Sequence, residues 1–231
     1  CPNFADREAT LDGDELHHLR SVRRLGPGDE VDVFDGAGRV AHCRLVRVAK
    51  QEAMLDVLTV VQVQPPAVEL TIATAIPKAA RMDWLVEKIT ELGATGLWPL
   101  VTERSDVTAR GEAKRDKWRR HAVEAAKQCG RAWLPRIADP TPLADAVARL
   151  AAARFDAILL ADPSPEAARV ADAVPPGPSR LIGFIGPEGG FTPGEIAALR
   201  TVGARSVRLG EHILRIETAA LALAAAVSAW R

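Results

Sequence analysis

Pro65-Pro66 constrains the fold of this chain more than any other pair of residues. Two consecutive prolines remove two backbone donors and hold φ near one value, so neither a sheet ladder nor a helix continues through them. The 231-residue sequence has a different texture on each side of the pair. Between Asp29 and Val63 the runs "EVDVFDG", "RVAHCRLVRVA" and "EAMLDVLTVVQV" are short, Val-rich and separated by turn residues, which predicts strands without long helices. Gly36 and Gly38 in "FDGAGRV" supply the backbone angles of a hairpin. After the prolines, strand-like and helix-like segments alternate, the pattern of a parallel α/β sheet. The expectation is a small β domain over residues 1–66 and an α/β domain over residues 67–231.

Within the second region "VELTIATAI" reads as a strand and "ARMDWLVEKITELGA" as a helix. Met82, Leu85, Val86 and Ile89 fall at i, i+3, i+4 and i+7, one face of a helix, and Gly93 stands where a C-cap belongs. There follow a strand "GLWPLV", a basic helix from about Glu112 to Cys129 ended by Gly130, and an Ala-rich helix after Pro142. The remaining units are a strand "FDAILLAD", a short helix near Glu166 to Val174, a strand "RLIGFIG", a helix from Pro193, a strand "SVRLG" and a last helix from about Glu217.

Some function classes are disfavoured at this stage. The apolar run from Thr218 to Trp230 is too short and too alanine-rich to span a bilayer, so no transmembrane segment is expected. The sequence opens at Cys1 with neither Met nor a charged-then-apolar leader; this predicts a trimmed start, no secretory signal and a cytoplasmic protein. Cys1, Cys43 and Cys129 are odd in number and far apart, and no His-Glu-x-x-His occurs, so no metal is expected. The formal net charge is zero, yet Arg104 to Arg136 holds ten Lys/Arg against four Asp/Glu, a local excess of +6. Such a belt reads either as a located polyanion site or as a solvated helix face.

The stretch "GPEGGFTPGEI", Gly186 to Ile196, follows the apolar run "LIGFI". Thr192, Pro193 and Glu195 form the pattern of a capping box with proline at the first helical position, so a helix starts there. Adjacent glycines between a strand and a helix let a ligand approach the backbone at the carboxyl end of a parallel strand. No Walker Lys-Ser/Thr follows and Gly-x-Gly-x-x-Gly is not matched, which argues against a nucleotide-dependent enzyme. Glu188 would repel a phosphate; a neutral or cationic ligand suits the corner better. A second corner, "LGEHILRIETAA" from Leu209 to Ala220, has the same strand, glycine and helix texture, and the two could wall one pocket.

Taken in order, "HHLRSVRRLGPGDEVDVFDG", "PKAARMDWLVEKITELG", "ERSDV", "EAAKQCGR", "IGPEGGFTPGEI" and "LGEHILRIETA" resemble the motifs of the small-subunit ribosomal RNA uracil-N3 methyltransferase family, a branch of the SPOUT class. The resemblance covers Glu15 to Ala220. It implies an α/β fold in which a PUA-like β-barrel precedes a SPOUT-type domain threaded into a trefoil knot, S-adenosyl-L-methionine as methyl donor, and a homodimer acting on ribosomal RNA of the small subunit. The other readings are a SPOUT enzyme with another RNA target and a non-enzymatic RNA-binding or assembly factor.

The resemblance also implies site residues. The cofactor shell comprises Leu160, Ile185, Gly186, Glu188, Gly189, Gly190, Leu209, Gly210, Ile213, Leu214 and Thr218. Removal of the N3 proton calls for a base, with Glu188 and Glu217 as candidates, and Arg215 as the group that stabilises the uracil anion. N3 lies on the Watson–Crick edge, so the base must be unpaired or extruded. Arg20, Arg23 and Arg24, on one face if their segment is helical, together with Lys78, Arg81, Arg104 and Arg131, are the expected RNA contacts.

Overall fold

The computed structural model describes residues 4, 7–105, 112–150, 152–177 and 179–229; the side chains of residues 22, 23, 79, 112 and 113 are outside that description. The chain divides into two compact units: residues 1–65 with 132–134, and residues 66–131 with 135–231.

In the first unit, strands β1 (Glu8–Asp12), β2 (Glu30–Phe34), β3 (Arg39–Val48) and β4 (Glu52–Gln62) form an antiparallel sheet in the order β1-β4-β3-β2. The Gly36/Gly38 turn joins β2 to β3, with φ of 78° and 94° at the two glycines. Alternation follows the pleat: Ala41, Cys43 and Leu45 of β3 and Ala53 and Leu55 of β4 point into the core. Leu11, Leu16 and Leu19 close that core from β1, helix α1 (Gly13–His17) and the π-helical turn His18–Arg23. The π-helical turn corrects the expected basic face. Its wider winding breaks the i, i+3, i+4 alignment, and Arg24 stands past its end in a left-handed conformation at φ 55°, so Arg20 and Arg24 do not share one α-helical stripe. The side chain of Arg23 lies outside the described residues.

The second unit is a parallel sheet covered on both faces. Its elements are β5 (Val68–Ala75), α2 (Ala79–Glu91), β6 (Gly96–Val101), α3 (Glu112–Cys129), β7 (Arg136–Ile137), β8 (Thr141–Pro142), α4 (Leu143–Leu150), β9 (Ala157–Ala161), β10 (Ala168–Arg169), α5 (Val170–Ala173), β11 (Ser179–Ile185), α6 (Pro193–Thr201), β12 (Ala204–Arg208) and α7 (Ile216–Ala229). The strands run β10-β12-β9-β11-β5-β6-β7, and β8 pairs with β6. Burial on both faces explains why "LIGFI" is continuously apolar. Leu181 and Ile185 of β11 enter a cluster with α2, α3, α5 and α7, whereas Ile182 and Phe184 enter a second cluster with α4 and α6. Met82, Leu85, Val86 and Ile89 of α2 are all buried, each contributing about 1.5–3 kcal/mol of apolar transfer. Gly183 has a packing role: a Cβ there would overlap Leu223 Cδ2 of α7.

Where a helix was expected from Glu166 to Val174, residues 168–169 instead pair with β12 and only Val170–Ala173 are helical. The partner strand is some forty positions later, so local propensity carried no sign of it. The chain leaves β11, passes over β9 and returns as β12 on its far side. That crossover places the carboxyl ends of β12, β9 and β11 side by side.

Candidate functional site

A cleft of about 350 Å³ opens at those three strand ends. Leu160 and Ala161 at the end of β9 line it with Asp162 and Pro163 beyond, Ile185 at the end of β11 with residues 186–191 beyond, and Leu209, Gly210, His212, Ile213 and Leu214 after β12. Ile196 of α6 and Ile216 and Ala219 of α7 complete the wall. The two glycine-bearing corners therefore face one pocket, and ten of the eleven residues expected around the cofactor lie in it.

Thr218 is the exception. Helix α7 begins at Ile216, and residues three apart share a face, so Ile216 and Ala219 turn toward the cleft while Thr218 turns away. Thr218 lines an adjoining cavity instead, with Ala80, Arg81, Trp84, Ile213, Leu214, Arg215 and Glu217. Ile213 and Leu214 belong to both cavities and form their common wall.

The first corner is held from two directions. Within it, Gly190 N donates to Pro187 O at 2.8 Å, with Gly190 in the left-handed region at φ 68°. The capping box is formed as the spacing predicts: Glu195 N donates to Thr192 Oγ1 at 3.3 Å and Thr192 N to Glu195 Oε2 at 2.8 Å. The other oxygen of the buried Glu195, Oε1, accepts from Glu103 N at 2.9 Å in the loop after β6. From the same loop Arg104 Nη1 donates to Gly189 O at 2.7 Å. Phe191, which sequence reasoning missed, packs its ring under Gly186, where a Cβ would come within 3.1 Å of it. Asp162, also missed, accepts from Ser164 N and opens the turn after β9. An Asp-Pro-Ser turn directly after an apolar strand was its available signal.

Electrostatics link the two cavities. Arg81 Nη1 stands 3.8 Å from Glu188 Oε1, and Arg81 Nε stands 3.7 Å from Glu217 Oε1. Glu188 is more than half exposed, but the Glu217 side chain keeps only 9% of its surface. The second oxygen of Glu217, Oε2, is buried, and among the described residues it has no hydrogen-bond donor. Arg215 is exposed on the rim.

The expected RNA contacts separate. Arg20, Arg24 and Lys78 are exposed, and Arg81 and Arg104 lie at the clefts. Arg131 does not fit that role: its guanidinium donates to Thr90 O at 2.8 Å and Gly93 O at 3.3 Å, satisfying the carbonyl end of α2. Much of the basic belt is also neutralised locally, since Lys117 pairs with Asp83 at 2.6 Å and Arg115 with Asp139 at 2.7 Å. Arg119 pairs with Asp116 at 3.6 Å, and Lys114 and Arg120 are exposed on α3. Among the described residues no cluster has the ligand set of a metal site, and no helix is long and apolar enough to cross a membrane.

The donor set suits a sulfonium nucleoside. Apolar side chains of Leu160, Ile185, Leu209, Ile213 and Leu214 offer faces to a planar base, open backbone at residues 186–190 and 210 offers polar groups for its edge, and Glu188 offers a negative charge.

Comparison with known proteins agrees with this geometry. Residues 64–228 match the model of an RNA methyltransferase domain and residues 11–58 that of an RNA methyltransferase PUA domain. The chain is 34% identical over 224 residues to the ribosomal RNA small subunit methyltransferase E of Synechocystis, covering 95% of this chain and 72% of that protein. To the protein of the same name from Bacillus subtilis it is 31% identical over 230 residues, covering 95% and 89%. Among solved structures, the ribosomal RNA small subunit methyltransferase E of Neisseria gonorrhoeae bound to S-adenosyl methionine superposes with a TM-score of 0.85 at 30% identity, covering 98% of this chain and 94% of that one.

Proposed function

From the premise that this chain belongs to the ribosomal RNA small subunit methyltransferase E family, we propose that it methylates N3 of a uridine in small-subunit ribosomal RNA. It is an S-adenosyl-L-methionine-dependent rRNA methyltransferase. The observation that carries the reading is the convergence of the corners after β9, β11 and β12 on one cleft. When bound there, S-adenosylmethionine supplies an electrophilic methyl group on a sulfonium. Leu160, Ile185, Leu209, Ile213 and Leu214 hold the adenosine by apolar contact and the backbone of residues 186–190 and 210 orients it. Glu188 stabilises the positive sulfur side. Gly186, with Phe191 beneath it, keeps the corner shallow enough for the ligand to reach the backbone.

Transfer needs the acceptor nitrogen in line with the methyl group, and much of the rate comes from that positioning. The N3 proton must leave, and Glu188 and Glu217, carboxylates that line the two cavities, both stand beside Arg81, whereas Asp162 of the first cleft is engaged with Ser164 N. Arg215 on the rim stabilises the uracil anion through a carbonyl oxygen. Residues 1–66 serve as a PUA-like RNA-binding barrel and residues 67–231 as the catalytic domain, with Arg20, Arg24, Lys78 and Arg104 contacting phosphates. The family to which the chain belongs carries the further reading that the chain is threaded as a trefoil knot. The enzyme works as a homodimer in the cytoplasm.

Nucleoside mass spectrometry tests the reaction. Small ribosomal subunits lacking the modification, incubated with the protein and S-adenosylmethionine, are expected to yield N3-methyluridine. A methyl group on ribose or on another base overturns the N3 assignment, and no incorporation overturns the enzymatic reading.

A further inference from the structure

We infer that the second cavity, formed by Arg81, Trp84, Arg215, Glu217 and Thr218, is the acceptor subsite, taking an extruded uracil that stacks on Trp84 and gives its N3 proton to Glu217. The inference rests on the methyltransferase reading and deepens it.

Three independent features point to this cavity. First, it adjoins the cofactor cleft, since Ile213 and Leu214 line both, and Ile213 is 86% exposed, so in-line transfer requires that side chain to swing aside. Second, Trp84, a large aromatic ring, is 43% exposed on the polar side of the amphipathic helix α2. Arg81 and Trp84 are three residues apart and share a face, so an indole and a guanidinium flank the same space. An exposed ring beside a basic side chain is what an unstacked base binds. Third, Glu217 Oε2 is buried, and none of the described residues supplies it with a donor. A buried carboxylate oxygen lacking a hydrogen bond is costly, and an N–H supplied by the substrate satisfies it. Oε1 already faces Arg81; Oε2 is covered, so the carboxylate must turn slightly to offer it to the substrate. Glu188, exposed beside the first cleft, has water available and lacks this vacancy.

The step balances as follows. The N3–H bond breaks and its proton passes to Glu217, while the electron pair left on N3 forms a bond to the methyl carbon. The bond from that carbon to sulfur breaks, and its pair stays on sulfur, leaving a neutral thioether. Glu217, now a neutral acid, returns its proton to solvent after product leaves. Arg81 is a positioning residue that keeps the carboxylate aimed.

The test measures single-turnover methyl transfer to unmodified small ribosomal subunits, with S-adenosylmethionine binding followed by calorimetry. Glu217→Gln is expected to bind the cofactor within threefold of wild type yet transfer methyl about a hundredfold more slowly or worse. Its residual rate should climb about tenfold per pH unit, as uracil ionises to solvent. Trp84→Ala, at an exposed position where folding is not at stake, is expected to raise KM for the subunit at least about fivefold, with Trp84→Phe restoring most of it. If Glu217→Gln transfers methyl at the wild-type rate, the proton acceptor is another group and the inference falls. If Glu217→Gln loses cofactor binding, the decision passes to Trp84→Ala, and an unchanged KM there overturns the subsite. Failure of the wild-type protein to methylate the subunits overturns instead the reaction on which the inference rests.

Discussion

Arg104 Nη1 donates to the carbonyl oxygen of Gly189 across 2.7 Å, joining the loop after β6 to the glycine corner after β11. The residues are 85 positions apart, and the strand between theirs, β5, pairs with both. The contact orients a peptide whose faces the cofactor must approach.

Removing that guanidinium should loosen the corner without unfolding the domain. Arg104→Ala is expected to weaken S-adenosylmethionine binding by about 1 kcal/mol, close to fivefold in Kd, less than a buried charge-assisted bond contributes because the pair is exposed. Calorimetry on the variant checks it; an unchanged Kd would mean that the corner is rigid on its own.

Gly189 and Gly190 should respond differently to the same methyl group. Gly190 has φ 68°, so Gly190→Ala forces a Cβ into the left-handed region at a cost of about 1–2 kcal/mol. At Gly189, where φ lies outside that region, a Cβ would meet Arg104 Cδ at 3.4 Å, an ordinary contact. Gly189→Ala should therefore stay within about 0.5 kcal/mol of wild type in thermal unfolding. Equal losses in the two variants would contradict the backbone argument.

Glu195 carries more than a helix cap. Its carboxylate accepts from Thr192 N and from Glu103 N, and the residue is buried. Glu195→Ala leaves both donors unpaired and should destabilise the domain by about 3 kcal/mol, roughly 10 °C in Tm. Glu195→Gln, which keeps one acceptor oxygen, should lose clearly less. Matching Tm values for the two variants would show that the bond to Glu103 contributes nothing.

His42 makes the β unit pH-dependent. Asp32, then Glu30, hold its imidazole above the usual 6.5, through contacts of 2.8 Å and 3.0 Å. A group raised on folding binds its proton more tightly in the native state, so its stabilisation is complete below about pH 6.5 and fades as pH rises through the folded value. The Tm of wild type should thus fall between pH 6 and pH 8 by more than that of His42→Gln. Parallel profiles for the two proteins would remove His42 as the cause.

Much of the architecture was legible from local chemistry. The apolar stripe of α2, the Gly36/Gly38 hairpin, the capping box at Thr192 and the end of α3 at Gly130 each follow from residues a few positions apart, and each occurs as its pattern requires. The site was legible as two corners, since glycine, proline and capping residues mark strand-to-helix turns. What failed were readings that assumed regular geometry or looked at charge alone. The shared face expected for Arg20, Arg23 and Arg24 presupposed an α-helix where a π-helical turn forms, and Arg131 carried the right charge but turned inward to cap α2.

Residue order along the chain was thus enough to say where strands end, where helices start and which faces are apolar, because those outcomes depend on contacts within a turn or two. Only the folded sheet decided that β12 returns beside β9, that the corners after β11 and β12 share one cleft, and that Glu217 is buried against Arg81 with one oxygen unsatisfied. Those outcomes depend on strand pairings and packing between residues tens to more than a hundred positions apart. Propensity does not encode which distant partner wins; the burial of both sheet faces does.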